Sequence, residues 1–336
     1  MSESAGVLPC QSIEGLIAAG AIGAAGGVGA DQVQPASLDL RLGRRAWRVR
    51  ASFLPRAGDT VRRRIGDVAM HELDLAAGAV LERGCVYICE IAEHLALPAG
   101  VCGRANPKSS TGRLDVFVRL LTDGQGAFDD VAEGYAGPMH LEVAPQTFSV
   151  LARQGTRLNQ MRLRRGEAQV LRVVDVGVEL SLETVGFRAR RHAGVVDLDL
   201  EGGHDPRDFW EPLTARRGEL LLDPGEFYIL ASRGKIEIPA GEAAEMIPID
   251  PAVGEFRVHY AGFFDPGFGL ADAGGEGSRG VLEVRSHETP FLLEDGQTVA
   301  RLVYAPLSEP PSRLYGARGG HYQRQGLRLS KHFAPW

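Results

Sequence analysis

Apolar and polar positions along this chain alternate over short stretches. In Gln34-Pro-Ala-Ser-Leu-Asp-Leu-Arg-Leu-Gly43, Leu38, Leu40 and Leu42 alternate with Asp39 and Arg41, the pattern of a half-buried strand. From there to Arg165 the apolar runs stay short and are punctuated by glycine and proline, with no long segment of 3.6-residue period. This predicts a mostly β architecture with a few short helices. One such helix is expected near the start, where Ser12 precedes Ile-Glu-Gly-Leu-Ile-Ala-Ala and the glycines from Gly20 onward end it. Residues 23–29 read as a flexible connection.

The pattern also repeats. Gly84-Cys-Val-Tyr-Ile-Cys-Glu-Ile-Ala-Glu-His-Leu-Ala-Leu-Pro-Ala-Gly100 aligns without gaps on Gly225-Glu-Phe-Tyr-Ile-Leu-Ala-Ser-Arg-Gly-Lys-Ile-Glu-Ile-Pro-Ala-Gly241, an offset of 141 residues. The same offset carries Leu141-Glu142-Val143 onto Leu282-Glu283-Val284 and Gly155 onto Gly296. Several landmarks at one offset argue for two tandem β-rich units, set here at 1–190 and 191–336. The alternation of residues 173–182 allows a boundary as early as Gly166.

Composition narrows the function classes. The 37 Lys and Arg against 43 Asp and Glu leave a net charge of −6, so no basic field invites duplex nucleic acid. No apolar run approaches the roughly 18 residues that span a bilayer. The acidic start Met-Ser-Glu-Ser lacks the basic n-region of a signal peptide, so the cytoplasm is the expected compartment. Four cysteines at 10, 85, 89 and 102 match no zinc spacing, and Cys85 and Cys89 read as core thiols on one strand face.

Chemistry concentrates in Asn106-Pro-Lys-Ser-Ser-Thr-Gly-Arg113. Asn-Pro interrupts regular structure. Lys108, Ser109, Ser110, Thr111 and Arg113 then supply cations and hydroxyls suited to a polyphosphate. On these residues alone a solvated turn fits equally well. Glu142 and Glu283, each flanked by apolar residues on a predicted strand, are candidate buried carboxylates able to move protons near neutral pH.

With these pieces placed, the chain resembles the deoxycytidine triphosphate deaminase family, which shares its fold with the trimeric dUTPases. Gln34 to Gly43 is similar to the family's N-terminal signature. Lys108-Ser-Ser-Thr-Gly-Arg113 resembles its Arg-Ser-Ser-x-x-Arg loop, Ala261-Gly-Phe-Phe-Asp-Pro-Gly267 its base-holding hairpin, and Val281-Leu-Glu-Val284 its catalytic strand. Tyr315-Gly-Ala-Arg-Gly-Gly-His-Tyr-Gln-Arg-Gln-Gly326 resembles the glycine-rich tail that closes over the triphosphate. The resemblance implies two dUTPase-like distorted β-barrel or jelly-roll units.

It also implies catalytic roles for Glu283, Ser109 and Arg113, with Glu142 as the alternative carboxylate. Nucleotide contacts fall to Lys108, Ser110, Ala261, Gly262, Asp265, Tyr315, His321, Tyr322 and Gln325. The first unit lacks the Asp-Pro-Gly hairpin. In the second, Asp250 and Gly254 stand where the loop's Ser109 and Arg113 fall by offset. One composite site is therefore expected, with the loop from the first unit and hairpin, Glu283 and tail from the second. Its glycines (316, 319, 320 and 326) predict a mobile tail in the absence of ligand.

The expected reaction is deamination of dCTP to dUTP, with dUTPase or bifunctional activity, or non-catalytic nucleotide binding, as alternatives. Mg²⁺ is expected to arrive with the triphosphate. Zinc is not expected, because His140-Leu-Glu142 has no Pro-Cys-x-x-Cys downstream. A homo-oligomer is the expected assembly, with a trimer the form that the resemblance implies.

Overall fold

The computed structural model describes residues 4–249, 256–258, 262–286, 288–317 and 322–336. It divides into two compact units. The first comprises Met1–Gln169, Val195–Leu200 and Leu307–Ser312; the second comprises Val170–Gly194, Glu201–Pro306 and Arg313–Trp336. The change at 169 follows from pairing, since strand Arg172–Gly177 lies antiparallel to Thr298–Pro306. Residues 170–190 are thus part of the second unit, near the earlier of the two boundaries considered.

The first unit is built on a sheet in the order Ala69–Asp74, Leu42–Val49, Val86–Ala96, Ala136–Pro145, Val116–Thr122. Ile22–Ala24 adds to Val86–Ala96, so part of the expected flexible connection is a strand. In a second sheet, Asn159–Arg165 lies between Val101–Pro107 and Leu38–Leu40. Leu38, Asp39, Leu40 and Leu42 are all buried, so this segment is covered on both faces rather than half-buried.

Helix α1, Cys10–Ala18, starts earlier than expected. Its N-cap is Pro9, and Ser12 instead donates its hydroxyl to Glu309 at 2.5 Å. Helix α2, Val61–Val68, escaped the periodicity reading because it is only two turns long. Thr60 caps it by accepting from the Arg63 N–H at 3.2 Å. Val61, Ile65 and Val68 fall on one face and pack with Trp47, Val49, Phe53, Ile88 and Leu121 in one buried cluster.

The second unit has the sheet order Trp210–Leu213, Gly186–Ala189, Phe227–Ile236, Ser278–Ser286, Phe256–Val258. Another sheet runs Arg172–Gly177, Thr298–Pro306, Glu242–Pro248, Phe263–Phe264. Its core gathers Tyr228, Leu230, Met246, Leu282, Val284 and Leu302, among others.

The 141-residue offset recurs in the strand registers. Glu142 faces Ile88 and Glu283 faces Ile229. The Tyr87 hydroxyl accepts from the Glu82 N–H at 3.0 Å, and the Tyr228 hydroxyl accepts from the Asp223 N–H at 2.8 Å. Gly84 N donates to Pro145 O, as Gly225 N does to Ser286 O. Gly84 and Gly225 both have positive φ, 74° and 72°, which glycine adopts without Cβ strain. A turn that needs glycine and a tyrosine that locks it thus stand at matching places in both units.

Candidate active site

In the first unit, strand Val101–Pro107 ends at the Asn-Pro step, and helix α3, Ser109–Gly112, begins two residues later. Arg113 follows it and is 1% exposed, with its Nε donating to Ser109 Oγ at 3.1 Å. Ser110 and Thr111 are also buried. Arginine is charged at all working pH values, so this is a cation fixed beside two serines on a short rigid element.

Lys108 is held by an ion pair to Asp39, whose side chain is 3% exposed; the Arg157 guanidinium stands 3.9 Å from the same carboxylate. Removing one partner of a buried pair strands the other charge. Lys108→Met is therefore expected to destabilise the unit by about 2 kcal/mol, less than a fully buried pair because Arg157 remains near Asp39. Urea unfolding of the variant checks this; an unchanged midpoint would contradict it.

Glu142 stands on Ala136–Pro145 and is 3% exposed. Burial pushes its pKa above the ordinary carboxylate value, opposed by the Ser52 hydroxyl, which donates at 2.5 Å, and by Arg119. Its cross-strand neighbour is Arg119, on Val116–Thr122. That strand begins three residues earlier, about 10 Å away at strand rise, and the Ser109–Arg113 loop lies beyond its start.

In the second unit, Glu283 lies on Ser278–Ser286 and is 3% exposed. Its neighbour Val284 pairs with Val258, at the end of Phe256–Val258. Gly262 lies four residues on, at most about 14 Å of chain. The Gly262 carbonyl accepts from Met246 N at 3.0 Å. Asp265 is buried and its carbonyl accepts from Phe268 N at 3.1 Å.

Gly267 has φ of 91°, and a Cβ there would meet Leu314 Cβ at 2.7 Å and Tyr315 N at 3.0 Å. Only glycine lets the hairpin and the root of the tail approach this closely. Tyr315 N donates to Pro266 O at 2.8 Å, and its ring lies 5.5 Å from that of Phe268. The structure thus brings Asp265 and Tyr315 into one locality.

The two halves of the chain match the two domains of one family. The model described as the 2'-deoxycytidine 5'-triphosphate deaminase N-terminal domain covers residues 4–167, and that of its C-terminal domain covers 151–333. The chain belongs to the dCTP deaminase family. Its similarity to "dCTP deaminase, dUMP-forming" of Halobacterium salinarum is 30% identity over 176 residues, 49% of this chain and 86% of that protein. With "dCTP deaminase" of Haloarcula marismortui it shares 28% over 183 residues, 51% of this chain and 89% of that protein. The crystal structure of a 2'-deoxycytidine 5'-triphosphate deaminase from Agrobacterium tumefaciens is similar at TM-score 0.87 and 51% identity, covering 90% of this chain and 99% of that one.

Several features of this deaminase-family site depart from the sequence reading. Tyr322 is 8% exposed and belongs to the second unit's core. Gln325 donates Nε2 to Arg279 O at 2.9 Å, and Arg279 N returns a bond to Gln325 O. Gln323, which sequence reasoning passed over, accepts from Gly269 N at 2.9 Å and donates to Ala273 O at 3.1 Å. Residues 322–325 are thus held by side-chain and backbone hydrogen bonds of which the glycines gave no sign. Ala261, His321, Asp250 and Gly254 lie outside the described residues.

One other expectation changes. Cys89 is buried and its thiol is pushed up to about 12 by burial, but Cys85 precedes strand Val86–Ala96 and is only half-buried. His140 is buried on its strand, and burial lowers its pKa to about 4, leaving a neutral imidazole. Ser52 and Arg119 carried no sequence signal, since Ser52 meets Glu142 across 90 residues of chain.

Proposed function

We propose that the chain deaminates dCTP hydrolytically to dUTP and ammonia, with Ser109, Arg113 and Glu283 acting on one substrate. The observation that carries this reading is the separation of the Ser109–Arg113 loop from Glu142 along its own sheet. On this reading the loop takes its carboxylate from a second unit, and Glu283 stands at the register that matches Glu142. The reading extends the offset of 141 to a tandem duplication in which each unit has kept half of the site.

A buried carboxylate suits the chemistry. Water adds to C4 of the cytosine while its proton passes to Glu283, and the carboxylate hands that proton to N3. The remaining proton of the C4 hydroxyl then moves through Glu283 to the exocyclic amine, the C4–N bond breaks, and ammonia leaves as the C4 carbonyl forms. Water and dCTP become dUTP and ammonia, and Glu283 ends as it began. Arg113, fixed by Ser109, would stabilise charge developing at the adduct.

Lys108 and Ser110 would meet the phosphates, with Gly262, Asp265 and Tyr315 at the nucleoside. Ala261, His321, Tyr322 and Gln325 complete the proposed set. For Tyr322 and Gln325 the role is indirect, through holding the tail in place. Magnesium would enter as part of the Mg–triphosphate substrate, since it keeps several waters and needs few protein ligands. Among the described residues no group of three His, Cys, Asp or Glu is placed to hold a metal ion.

No helix among the described residues is long and apolar enough to cross a membrane. A cytoplasmic homo-oligomer, a trimer by analogy with the fold family, completes the proposal. Light scattering on the purified chain tests the assembly.

A second reading is favoured by the name of the Halobacterium relative, "dCTP deaminase, dUMP-forming", and by the buried carboxylate Asp265. In that case water would also attack the α–β phosphate bond. Assaying ammonia and pyrophosphate separately, with dCTP and with dUTP, distinguishes the two. Ammonia without pyrophosphate supports the first reading; pyrophosphate in equal amount supports the second. Neither product from dCTP would overturn both.

A further inference from the structure

The turn that leaves the hairpin of the second unit is completed by a side chain from the tail. Gly267-Phe-Gly-Leu-Ala-Asp-Ala-Gly-Gly-Glu-Gly277 runs from the end of the hairpin to strand Ser278–Ser286, which bears Glu283. Five of these eleven residues are glycine, so the turn has few side chains of its own to hold its shape. Gln323 supplies the brace. Its Oε1 accepts from Gly269 N at 2.9 Å, while Nε2 donates to Gly267 O at 3.2 Å and to Ala273 O at 3.1 Å. One planar amide thus spends its acceptor and both N–H donors on three backbone groups of a single turn.

The next two residues of the tail close on the same segment. The Arg324 side chain donates to Gly274 O, Arg324 N donates to Ser278 Oγ at 2.9 Å, and Gln325 exchanges bonds with Arg279. Gly267, which Gln323 holds through its carbonyl, directly follows Asp265 and Pro266, and its N–H donates to Ile238 O at 3.0 Å. Without the Gln323 amide, three backbone groups of a glycine-rich turn lose their partner, and the turn loses what fixes its shape.

We propose that Gln323 is a positioning residue: it sets the 267–277 turn and, through Gly267, the aim of the Asp265-Pro-Gly267 hairpin. Tail and hairpin then order as one element, so a substrate that gathers the tail also aligns the hairpin. The part of the hairpin in holding the base rests on the deaminase reading.

The test compares the wild type with Gln323→Met and Gln323→Glu. Methionine keeps the size and removes all three bonds; glutamate keeps the acceptor for Gly269 N and sets a carboxylate against two carbonyls. Hydrogen exchange of the ligand-free protein, read by mass spectrometry, should be about tenfold faster over residues 262–277 in both variants. Strand Val86–Ala96 should exchange at the wild-type rate. With dCTP, kcat should fall about tenfold while KM stays within about threefold, because a misaimed base loses orientation rather than phosphate contacts. Wild-type exchange over 262–277 would overturn the proposal. So would a loss confined to KM, which would mean that Gln323 serves only the grip of the tail on the phosphates. Should Gln323→Met not accumulate as folded protein, Gln323→Glu carries both measurements. The exchange measurement needs no turnover, so a wild type that leaves dCTP unchanged would overturn the proposed function while the brace is still read from exchange.

Discussion

Replacing Glu283 with glutamine is expected to lower dCTP deamination by about 10²–10⁴-fold, the usual worth of a positioned general acid–base group. The glutamine amide nearly matches glutamate in shape but cannot accept the proton of the attacking water. Glu283 is 3% exposed on a central strand of its sheet, so the isosteric change keeps the packing, and melting should move little. Arg113→Ala should cause a loss of similar size, because the buried guanidinium held to Ser109 is the fixed charge of the loop. The decisive quantity is the double variant. Groups that act on one transition state are not additive, so Glu283→Gln with Arg113→Ala should be about as slow as either single change. Losses that multiply instead would mean that the two residues serve separate events.

The second large effect concerns stability. Asp129 has φ of 66°, and burial raises its pKa to about 7 from an ordinary 3.8. The unfolded chain gives up this proton more readily than the folded one. Its contribution is therefore most favourable below pH 3.8, declines as pH rises from 3.8 to 7, and is fully lost above 7. The span corresponds to about 4 kcal/mol. Asp129→Asn removes the titration while keeping the acceptor that Leu120 N uses at 2.8 Å, and asparagine tolerates positive φ. The variant should gain stability at pH 8, by up to about 4 kcal/mol, with the gain vanishing near pH 4. Chemical denaturation at pH 4, 6 and 8 measures it. A gain independent of pH would show that the carboxyl is not held neutral.

Much of this was legible in the sequence because it was local or periodic. The alternation of leucines from 38 to 42 and the Asn-Pro break before Ser109 lie within short windows, and the constant offset between Glu142 and Glu283 is carried by short matching stretches. Gly84 and Gly225 announced matching turns, which the tyrosine hydroxyl bonds repeat. What escaped was long-range or too short to show a period. Helix α2 spans only 8 residues, so its apolar positions complete barely two turns. Ser52 reaches Glu142 over 90 residues, and Lys108 reaches Asp39 over 69; no spacing rule foretells such pairs. The contacts of the tail escaped for a different reason. Its glycines signal chain freedom, but the hydrogen bonds of Gln323 and Gln325 depend on where Gly267, Ala273 and Arg279 come to rest.

The account stands on which of two register-matched glutamates does the chemistry, and ammonia release from dCTP by Glu142→Gln and Glu283→Gln, measured side by side, decides it. Glu142→Gln should stay within a few-fold of the wild type, because its carboxylate is engaged by Ser52 and lies beside Arg119, away from the Ser109–Arg113 loop. Glu283→Gln should release almost no ammonia. Full activity in Glu283→Gln together with loss in Glu142→Gln would place the reaction in the first unit and contradict the assignment.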